Sequence, residues 1–369
     1  MNIPLSAPDI TQAEIEAVTA VLRTNQLSLG PRLKEFEHAM AQYIGVPHAI
    51  GVSSGTAGLH LCIRALNIGE GDEVIVPSFT FIAAANAIRY ERATPVFVDI
   101  EPTTLNLDPQ KIEAAITPRT RAILVVHTFG IPANMQAILE IAKRHNLFVI
   151  EDACEAIGAE YQGRRVGSLG DAAVFAFYPN KQITTGEGGM IVTRGEELAT
   201  RVRALRNQGR YETDDWLQHS ELGYNYRLPE ISCTLGIEQL KRIENILAER
   251  ASVARAYHER LQNQPLILPP LDLPQARISW FVYVIRLQPQ CNQSHRDVIM
   301  ESLASQGIGC ARYFAPIHMQ PAYAAWRNAN LPITESEAAR TIALPFFNNL
   351  TSEQVDQVCE AVSRELRSL

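Results

Sequence analysis

Residues 147–155 read Leu-Phe-Val-Ile-Glu-Asp-Ala-Cys-Glu, four apolar residues followed by three carboxylates within five positions. An apolar run of this kind is typical of a strand buried on both faces, as in a parallel sheet. The carboxyl ends of parallel strands form the edge of the sheet where ligands bind. The stretch therefore predicts a buried strand that ends in a functional acid, Asp152, although an acid that caps the following helix would look the same.

Similar apolar runs lie on both sides of this stretch and alternate with helical segments such as residues 132–145. Such alternation predicts right-handed crossovers and a mainly parallel sheet. The predicted strands are 73–77, 95–99, 122–127, 147–151, 172–177 and 190–193.

The C-terminal part of the chain has a different pattern. Apolar residues at helical spacing predict one long helix over residues 230–261, and Pro-rich turns follow at 265–274. A predicted strand at 280–287 and predicted helices at 295–306 and 352–366 complete this part. We predict an α/β fold with a large domain over residues 1–245 and a smaller α+β domain over residues 246–369.

Composition and charge argue against several classes of protein. The 369 residues carry a net charge of −7 without a basic block, which disfavours nucleic-acid binding. No apolar run reaches the roughly 18 residues of a membrane span, and the start lacks a secretion signal, so we expect a cytoplasmic protein. The six cysteines are scattered without metal-ligand spacing, so we expect no metal site.

A second informative stretch is residues 175–189, Phe-Ala-Phe-Tyr-Pro-Asn-Lys-Gln-Ile-Thr-Thr-Gly-Glu-Gly-Gly. An apolar strand ends, Lys181 follows, and a glycine-rich turn leads into the next strand. A lysine amine is nucleophilic only when neutral, and apolar surroundings favour the neutral form. Such an amine can form an imine with an aldehyde, whereas the alternative is a surface lysine in a hairpin loop.

Two further stretches lie at the same predicted edge of the sheet. Residues 51–59 form a small-residue turn that opens a helix, and a helix N-terminus can hold a phosphate, although ordinary capped helices look similar. Phe81 follows the strand at 73–77 and could stack on a flat ring or simply pack in the core. A lysine, an acid, a phosphate site and an aromatic ring together predict pyridoxal phosphate (PLP) bound to Lys181, with Asp152 facing its protonated ring nitrogen.

With these segments the chain resembles the DegT/DnrJ/EryC1/StrS family of PLP-dependent sugar aminotransferases over essentially its whole length. The resemblance implies the type I, aspartate-aminotransferase-like fold of PLP enzymes. The matching segments are 29–31, 36–37, 54–57, 77–81, 151–153, 180–181, 186–189, 223–227 and 316–321.

The resemblance also implies a role for each matching residue. Lys181 would be the Schiff-base lysine and would carry the proton between cofactor and sugar. Asp152 would hold the ring nitrogen, and Phe81 would stack on the ring. The phosphate would be held by Gly55, Thr56 and Ala57 of the same chain and by Asn225 of the neighbouring subunit, since family members usually build their sites across a homodimer interface.

Two positions depart from the family pattern. Ala176 stands where the family commonly has a phosphate-contacting Ser. Glu155 stands beside the expected ring oxygen of PLP, where the family often has Gln or His. Glu at this position is similar to perosamine-synthase-like members, which aminate C4 of a nucleotide-linked 4-keto-6-deoxy sugar. A carboxyl group there would need to be protonated or hydrogen-bonded to a donor.

The resemblance implies an enzyme that takes the amino group of glutamate and transfers it to a nucleotide-linked keto sugar, with a substrate pocket that draws on Tyr313, Phe314 and His318. His318 could equally be a structural histidine in a turn. The alternatives are a C3-aminating enzyme, a PLP-dependent sugar dehydratase and a non-catalytic regulator of the same fold. Dehydratases of the family typically carry His in place of the lysine, so Lys181 argues against that alternative.

Overall fold

The structure is a computed structural model that describes residues 2–367. Its centre is a seven-stranded sheet with helices on both faces, and two three-stranded sheets accompany it. The strands are β1 His48–Val52, β2 Glu73–Pro77, β3 Thr94–Val98, β4 Thr120–Val126, β5 Phe148–Asp152, β6 Glu160–Tyr161, β7 Arg164–Arg165, β8 Ala172–Ala176, β9 Gly189–Thr193, β10 Leu266–Ile267, β11 Ala276–Arg277, β12 Tyr283–Leu287 and β13 Thr341–Leu344.

Helices cover the sheet and fill the C-terminal part. They are α1 Gln12–Leu22, α2 Pro31–Ile44, α3 Gly55–Ala65, α4 Ala83–Tyr90, α5 Pro109–Ile112, α6 Met135–His145, α7 Glu196–Arg206, α8 Glu230–Lys241, α9 Ile243–Leu261, α10 Gln293–Ser305, α11 Pro332–Ala338 and α12 Ser352–Leu366.

The large sheet has the strand order β1-β9-β8-β5-β4-β2-β3. Neighbouring strands from β3 to β8 run parallel, whereas β9 pairs antiparallel with both β8 and β1. The prediction of a mainly parallel sheet is confirmed, and the bounds of the six strands predicted for this sheet lie within two residues of the observed ones. Strand β1 was not predicted, because its last two residues, Gly51 and Val52, were assigned to the turn at 51–59, and its partner β9 lies about 140 residues further along the chain.

Both faces of the sheet are buried, which explains why the central residues of its strands are mostly apolar. On β5, Ile150 packs into the core beneath α3 and α4, whereas its neighbour Val149 packs against α6 on the opposite face. The same alternation places Val174 under α3, and Phe175 on the opposite face in the core that α2 and α8 share.

The long helix predicted over residues 230–261 is two helices, α8 and α9, with a break at Arg242. The prediction of one helix is wrong at this point, because Arg242 leaves helical geometry and is anchored elsewhere. Its Nη1 lies 2.9 Å from the Asp9 carboxylate and its Nε lies 2.9 Å from Glu14. Apolar periodicity continues across the break and therefore does not reveal it.

The C-terminal part has its own core between α9, α10, α12 and the β10-β12-β13 sheet. Ile3 belongs to this core, and its N–H donates to the Gly307 carbonyl at 2.8 Å. The predicted domain boundary at residue 245 falls at the start of α9 and remains a prediction. In residues 2–367, no helix is both long enough and apolar enough to cross a membrane.

Candidate active site

A cavity of about 520 Å³ lies at the edge of the large sheet where β2, β4, β5 and β8 end and α3 begins. This is the edge at which the sequence placed the functional side chains. Residues from the C-terminal part close one side of the cavity. Its walls include Gly55, Thr56, Thr80, Phe81, Asp152, Cys154, Glu155, Ala176, Tyr178, Asn180, Lys181, Glu187, Phe281, Tyr313 and Phe314.

Lys181 reaches the cavity from the loop between β8 and β9. A backbone turn, in which Lys181 N–H donates to the Tyr178 carbonyl at 2.9 Å, sets the direction of the side chain. The side chain is 13% exposed, with Nζ 3.4 Å from Glu155 Oε1 and 3.9 Å from the centre of the Phe281 ring. The amine therefore has a carboxylate and an aromatic face as its nearest neighbours.

Glu155 is buried and is held by two donors. Its Oε2 accepts the Phe129 N–H at 2.9 Å, while Oε1 faces the Lys181 amine. Burial raises the pKa of the Glu155 carboxyl, against the opposing charge of Lys181. The sequence analysis expected the Glu155 carboxyl to be protonated or to accept a hydrogen bond. The two donors around it agree with that expectation.

Asp152 is the last residue of β5 and is also buried, but it has fewer partners. Its Oδ1 accepts the Cys154 N–H at 3.2 Å. Burial raises the pKa of the Asp152 carboxyl, against weaker stabilisation by Cys154 and by the Lys181 charge. A buried carboxyl in this condition favours a cationic ligand, because such a ligand would compensate for the lost hydration.

The start of α3 forms the predicted phosphate turn. Ser54 caps the helix, and its Oγ accepts the Ala57 N–H at 3.1 Å. Ala57 is therefore occupied by the cap and does not line the cavity, whereas Gly55 and Thr56 do. A side chain at Gly55 would lie 2.8 Å from the Ala176 Cβ, so the turn needs glycine for its close approach to β8.

Aromatic rings form the walls on both sides of the lysine. Phe81 is 62% exposed and lines the cavity, so its ring is available to a planar ligand. Tyr313 lines the cavity as expected and lies parallel to Phe281, with ring centres 6.2 Å apart. Sequence reasoning missed Phe281, Cys154 and Asn180, and only the position of Asn180 next to the lysine could have indicated one of them.

Besides Ala57, two predicted residues do not line this cavity. His318 is 1% exposed, and its Nδ1 lies 2.7 Å from Ser78 Oγ while its Nε2 lies 3.4 Å from Glu335. These contacts fit the alternative in which His318 is a structural histidine in a turn, so we do not include His318 in the proposed substrate site. Asn225 is exposed on the surface, which is where a residue that serves a neighbouring subunit would have to lie.

Comparison with known proteins shows the same relationship along the whole chain. The model of the DegT/DnrJ/EryC1/StrS aminotransferase family matches residues 8–363. The GDP-perosamine synthase of Caulobacter vibrioides is 42% identical over 368 residues, which cover 99% of this chain and 98% of that protein.

Solved structures agree in fold. The PMP form of the proposed sugar aminotransferase Spr1654 from Streptococcus pneumoniae superposes with a TM-score of 0.96 at 28% identity and covers 100% of this chain and 98% of that one. DesV of S. venezuelae, solved with a ketimine intermediate, gives a TM-score of 0.90 at 38% identity and covers 96% of this chain and 95% of that one. The predicted fold class is thereby confirmed. The chain belongs to the DegT/DnrJ/EryC1/StrS aminotransferase family.

Proposed function

We propose that this sugar aminotransferase transfers the amino group of glutamate to C4 of a nucleotide-linked 4-keto-6-deoxy sugar. The observation that carries the proposal is one cavity in which the Lys181 amine, the Asp152 carboxyl and the Glu155 carboxyl meet. The C4 position rests on Glu155, the residue shared with perosamine-synthase-like proteins, and is supported by the 42% identity to a GDP-perosamine synthase.

The cofactor is PLP: the similar protein Spr1654 has been solved in both its PLP and PMP forms. The residues of this chain fit that group. A buried carboxyl with a raised pKa at Asp152 suits a protonated ring nitrogen. An exposed ring at Phe81 suits stacking, and the first turn of α3 at Gly55 and Thr56 suits a phosphate.

The chemistry then divides among the side chains. PLP, when bound, supplies an aldehyde and an electron-withdrawing ring. Lys181 Nζ acts as the nucleophile and later as the proton carrier, a role worth roughly 10²–10⁴-fold in rate. Glu155 Oε1 lies 3.4 Å from that nitrogen and can orient it or hold its proton, while the Phe129 N–H fixes the other carboxyl oxygen. Asp152 keeps the ring nitrogen protonated.

The test combines an assay with a chemical label. Purified protein is incubated with glutamate and keto sugars carried on UDP, GDP and dTDP, and the products are analysed for amination at C3 or C4. We expect amination of 4-keto sugars only, no amination by Lys181→Ala, and wild-type activity for Lys143→Ala, a control lysine exposed on α6. Amination of 3-keto sugars alone would show that the Glu155 inference is wrong.

Borohydride reduction of the PLP-loaded protein tests the covalent link independently. Reduction should block tryptic cleavage at Lys181 and yield one labelled peptide over residues 166–194. A colourless protein that takes up no label would instead support the alternative of a non-catalytic regulator with the same fold. Loss of sugar oxygen without consumption of glutamate would support the dehydratase.

We further propose a homodimer in which Asn225 reaches the phosphate of the cofactor in the partner subunit. Within residues 2–367 the Asn225 side chain makes no hydrogen bond and does not line its own cavity. The loop before it exposes apolar side chains, with Trp216 78%, Leu217 73% and Leu222 77% exposed. Three exposed large apolar side chains within seven positions of one loop favour burial against a partner.

Complementation tests this arrangement. Lys181→Ala and Asn225→Ala chains are coexpressed and assayed at a PLP concentration too low to load the Asn225→Ala parent. Hybrid dimers would have one intact site and should restore about a quarter of wild-type activity by random pairing. If Asn225 acts within its own subunit, the mixture shows no more activity than its two parents.

A further inference from the structure

A buried polar cluster lies beyond the first turn of α3, away from the cavity. His60 is 4% exposed, with Nε2 2.7 Å from Glu91 Oε1 and Nδ1 3.2 Å from the Tyr226 hydroxyl. Glu91 also accepts the Tyr224 hydroxyl at 3.1 Å and Arg64 Nη1 at 3.2 Å. None of these side chains is among the cavity walls of the described residues, so the proposed reaction leaves the cluster without a role.

The directions of these hydrogen bonds follow from the charges. Burial opposes ionisation of Glu91, but hydrogen bonds from His60 and Tyr224 and the charge of Arg64 lower its pKa, so the carboxylate only accepts. Burial and the Glu91 charge raise the pKa of Tyr224 to about 12, so its hydroxyl remains a donor. His60 Nε2–H then donates to the Glu91 carboxylate, and the Tyr226 hydroxyl bonds to Nδ1, so connected hydrogen bonds join Glu91 and His60 to both tyrosines.

Residues 224–227 are extended and bonded on both sides. Tyr224 N–H donates to Leu205 O at 2.7 Å and Tyr226 N–H donates to Arg206 O at 3.0 Å. Ser53 N–H, just before the phosphate turn, donates to Tyr226 O at 2.9 Å. In an extended chain, successive side chains point in opposite directions.

The two tyrosines therefore share one face, and Asn225 faces the other way. The rings of Tyr224 and Tyr226 are stacked with centres 5.0 Å apart, and the His60 ring lies edge-on at 4.8 Å from Tyr224. A slip of one residue would exchange the two faces and turn Asn225 inward. The His60–Glu91 pair opposes such a slip, because it binds both tyrosine hydroxyls.

We propose that His60 and Glu91 are positioning residues that hold Asn225 outward, toward the phosphate group of the cofactor in the partner subunit. This inference rests on the proposed cross-subunit contact. The cluster also lies on α3, the helix whose first turn serves the phosphate in its own subunit. The cluster thus connects the first turn of α3, which is proposed to bind the phosphate in its own subunit, with Asn225, which is proposed to bind the phosphate in the partner subunit.

The test is a double-mutant cycle on ligand affinity. Dissociation constants of PLP and of pyridoxal, which lacks the phosphate, are measured by absorbance titration of the apo-protein. The variants are His60→Phe, Asn225→Ala and their combination. If His60→Phe does not fold, Tyr226→Phe replaces it in the cycle, because this variant removes only the hydroxyl that bonds to His60. Tyr90→Phe is the matched control, because its ring contacts His60 at 5.3 Å but its hydroxyl is outside the hydrogen-bond chain.

We expect His60→Phe and Asn225→Ala each to weaken PLP binding about tenfold, the loss of one hydrogen bond to a charged group. The double variant should be no weaker than Asn225→Ala alone, and pyridoxal binding and Tyr90→Phe should be unchanged. Equal losses for PLP and pyridoxal, or additive losses in the double variant, would overturn the inference.

Two further outcomes separate this inference from the contact on which it rests. If Asn225→Ala weakens PLP binding but His60→Phe and Tyr226→Phe do not, the positioning role alone is wrong. If Asn225→Ala leaves PLP binding unchanged, the cross-subunit contact itself is wrong, and the positioning role with it.

Discussion

Glu151 and Asp152 are consecutive residues of one strand, both are buried, and their surroundings differ in almost every respect. Glu151 accepts three backbone N–H groups from residues 167–170 at 2.7–2.9 Å and faces His127 Nε2 at 3.0 Å. Burial opposes its ionisation, but the hydrogen bonds and the nearby His127 lower its pKa. Asp152 accepts one backbone N–H, and burial raises its pKa.

Glu151 has a structural role because the protein itself supplies its hydrogen-bond donors, whereas Asp152 has the surroundings of a ligand-binding residue. The partners of Glu151 all come from the chain itself, so its contribution belongs to stability. Asp152 points into the cavity and lacks the donors that would compensate for its burial, so its contribution depends on what binds there. Sequence alone made both residues look alike, since they are adjacent acids at the end of one apolar run.

The largest expected effect is on catalysis at Asp152. Asp152→Asn keeps the shape but removes the charge that faces the ring nitrogen, so kcat/KM should fall by at least about 10²-fold. Urea unfolding of the apo-protein should show no loss of stability. Activity within threefold of wild type would show that Asp152 does not serve the cofactor.

The next effect concerns stability at Glu151. Glu151→Gln cannot satisfy three N–H donors and His127 as a carboxylate does, so the free energy of unfolding should fall by about 3 kcal/mol. Activity per folded molecule should fall by less than for Asp152→Asn. Glu140→Gln, an exposed position on α6, is the control for unfolding. A stable but inactive Glu151→Gln would reverse the division of roles.

The pH dependence of apo-protein stability sharpens the same contrast. Glu151 has a folded pKa below its ordinary 4.5, so its stabilisation is present above 4.5 and is lost as the pH falls through the folded value. Asp152 has a folded pKa above its ordinary 3.8, so its burial costs stability as the pH rises above 3.8.

Urea midpoints measured from about pH 2.5 to pH 7 should therefore change in opposite senses. Relative to wild type, Glu151→Gln should lose stability as the pH rises toward 4.5, with no further change above that value, and Asp152→Asn should gain stability as the pH rises above 3.8. Parallel curves for the two variants would contradict the assigned directions.

The smallest effect is expected at Cys154, whose backbone N–H donates to Asp152 Oδ1 at 3.2 Å and whose thiol also interacts with that carboxyl. Cys154→Ala keeps that N–H donor, so kcat/KM should change by less than about twofold. Burial and the neighbouring Asp152 raise the pKa of the Cys154 thiol well above its ordinary value. The apo-protein should therefore react slowly with a thiol reagent at pH 8 at this position, and rapid labelling there would show a more open cavity.

The part of the site that sequence could predict is the part carried by local pattern. Lys181, Asp152, Phe81 and Thr56 each follow the end of a strand or open a helix, and all four line the observed cavity. Parallel topology alone brings such positions together, because the carboxyl ends of the strands share one edge.

The rest depends on contacts between distant parts of the chain. Phe281 lies 100 positions after the lysine that it contacts, and no spacing rule relates the two. The break at Arg242 arises from an anchor at Asp9, more than 200 residues earlier. The capping bond that occupies the Ala57 N–H depends on the rotamer of Ser54, which sequence does not specify.

The contact between Lys181 and Phe281 has a consequence for protein engineering. Phe281 precedes β12, in the C-terminal part of the chain, yet its ring lies 3.9 Å from the reactive nitrogen supplied by the first part. In a chimera whose two halves come from different relatives, Lys181 and the residue at position 281 that contacts its amine would come from different proteins. Such swaps should succeed only where the donor of the second half also brings a flat ring to that position.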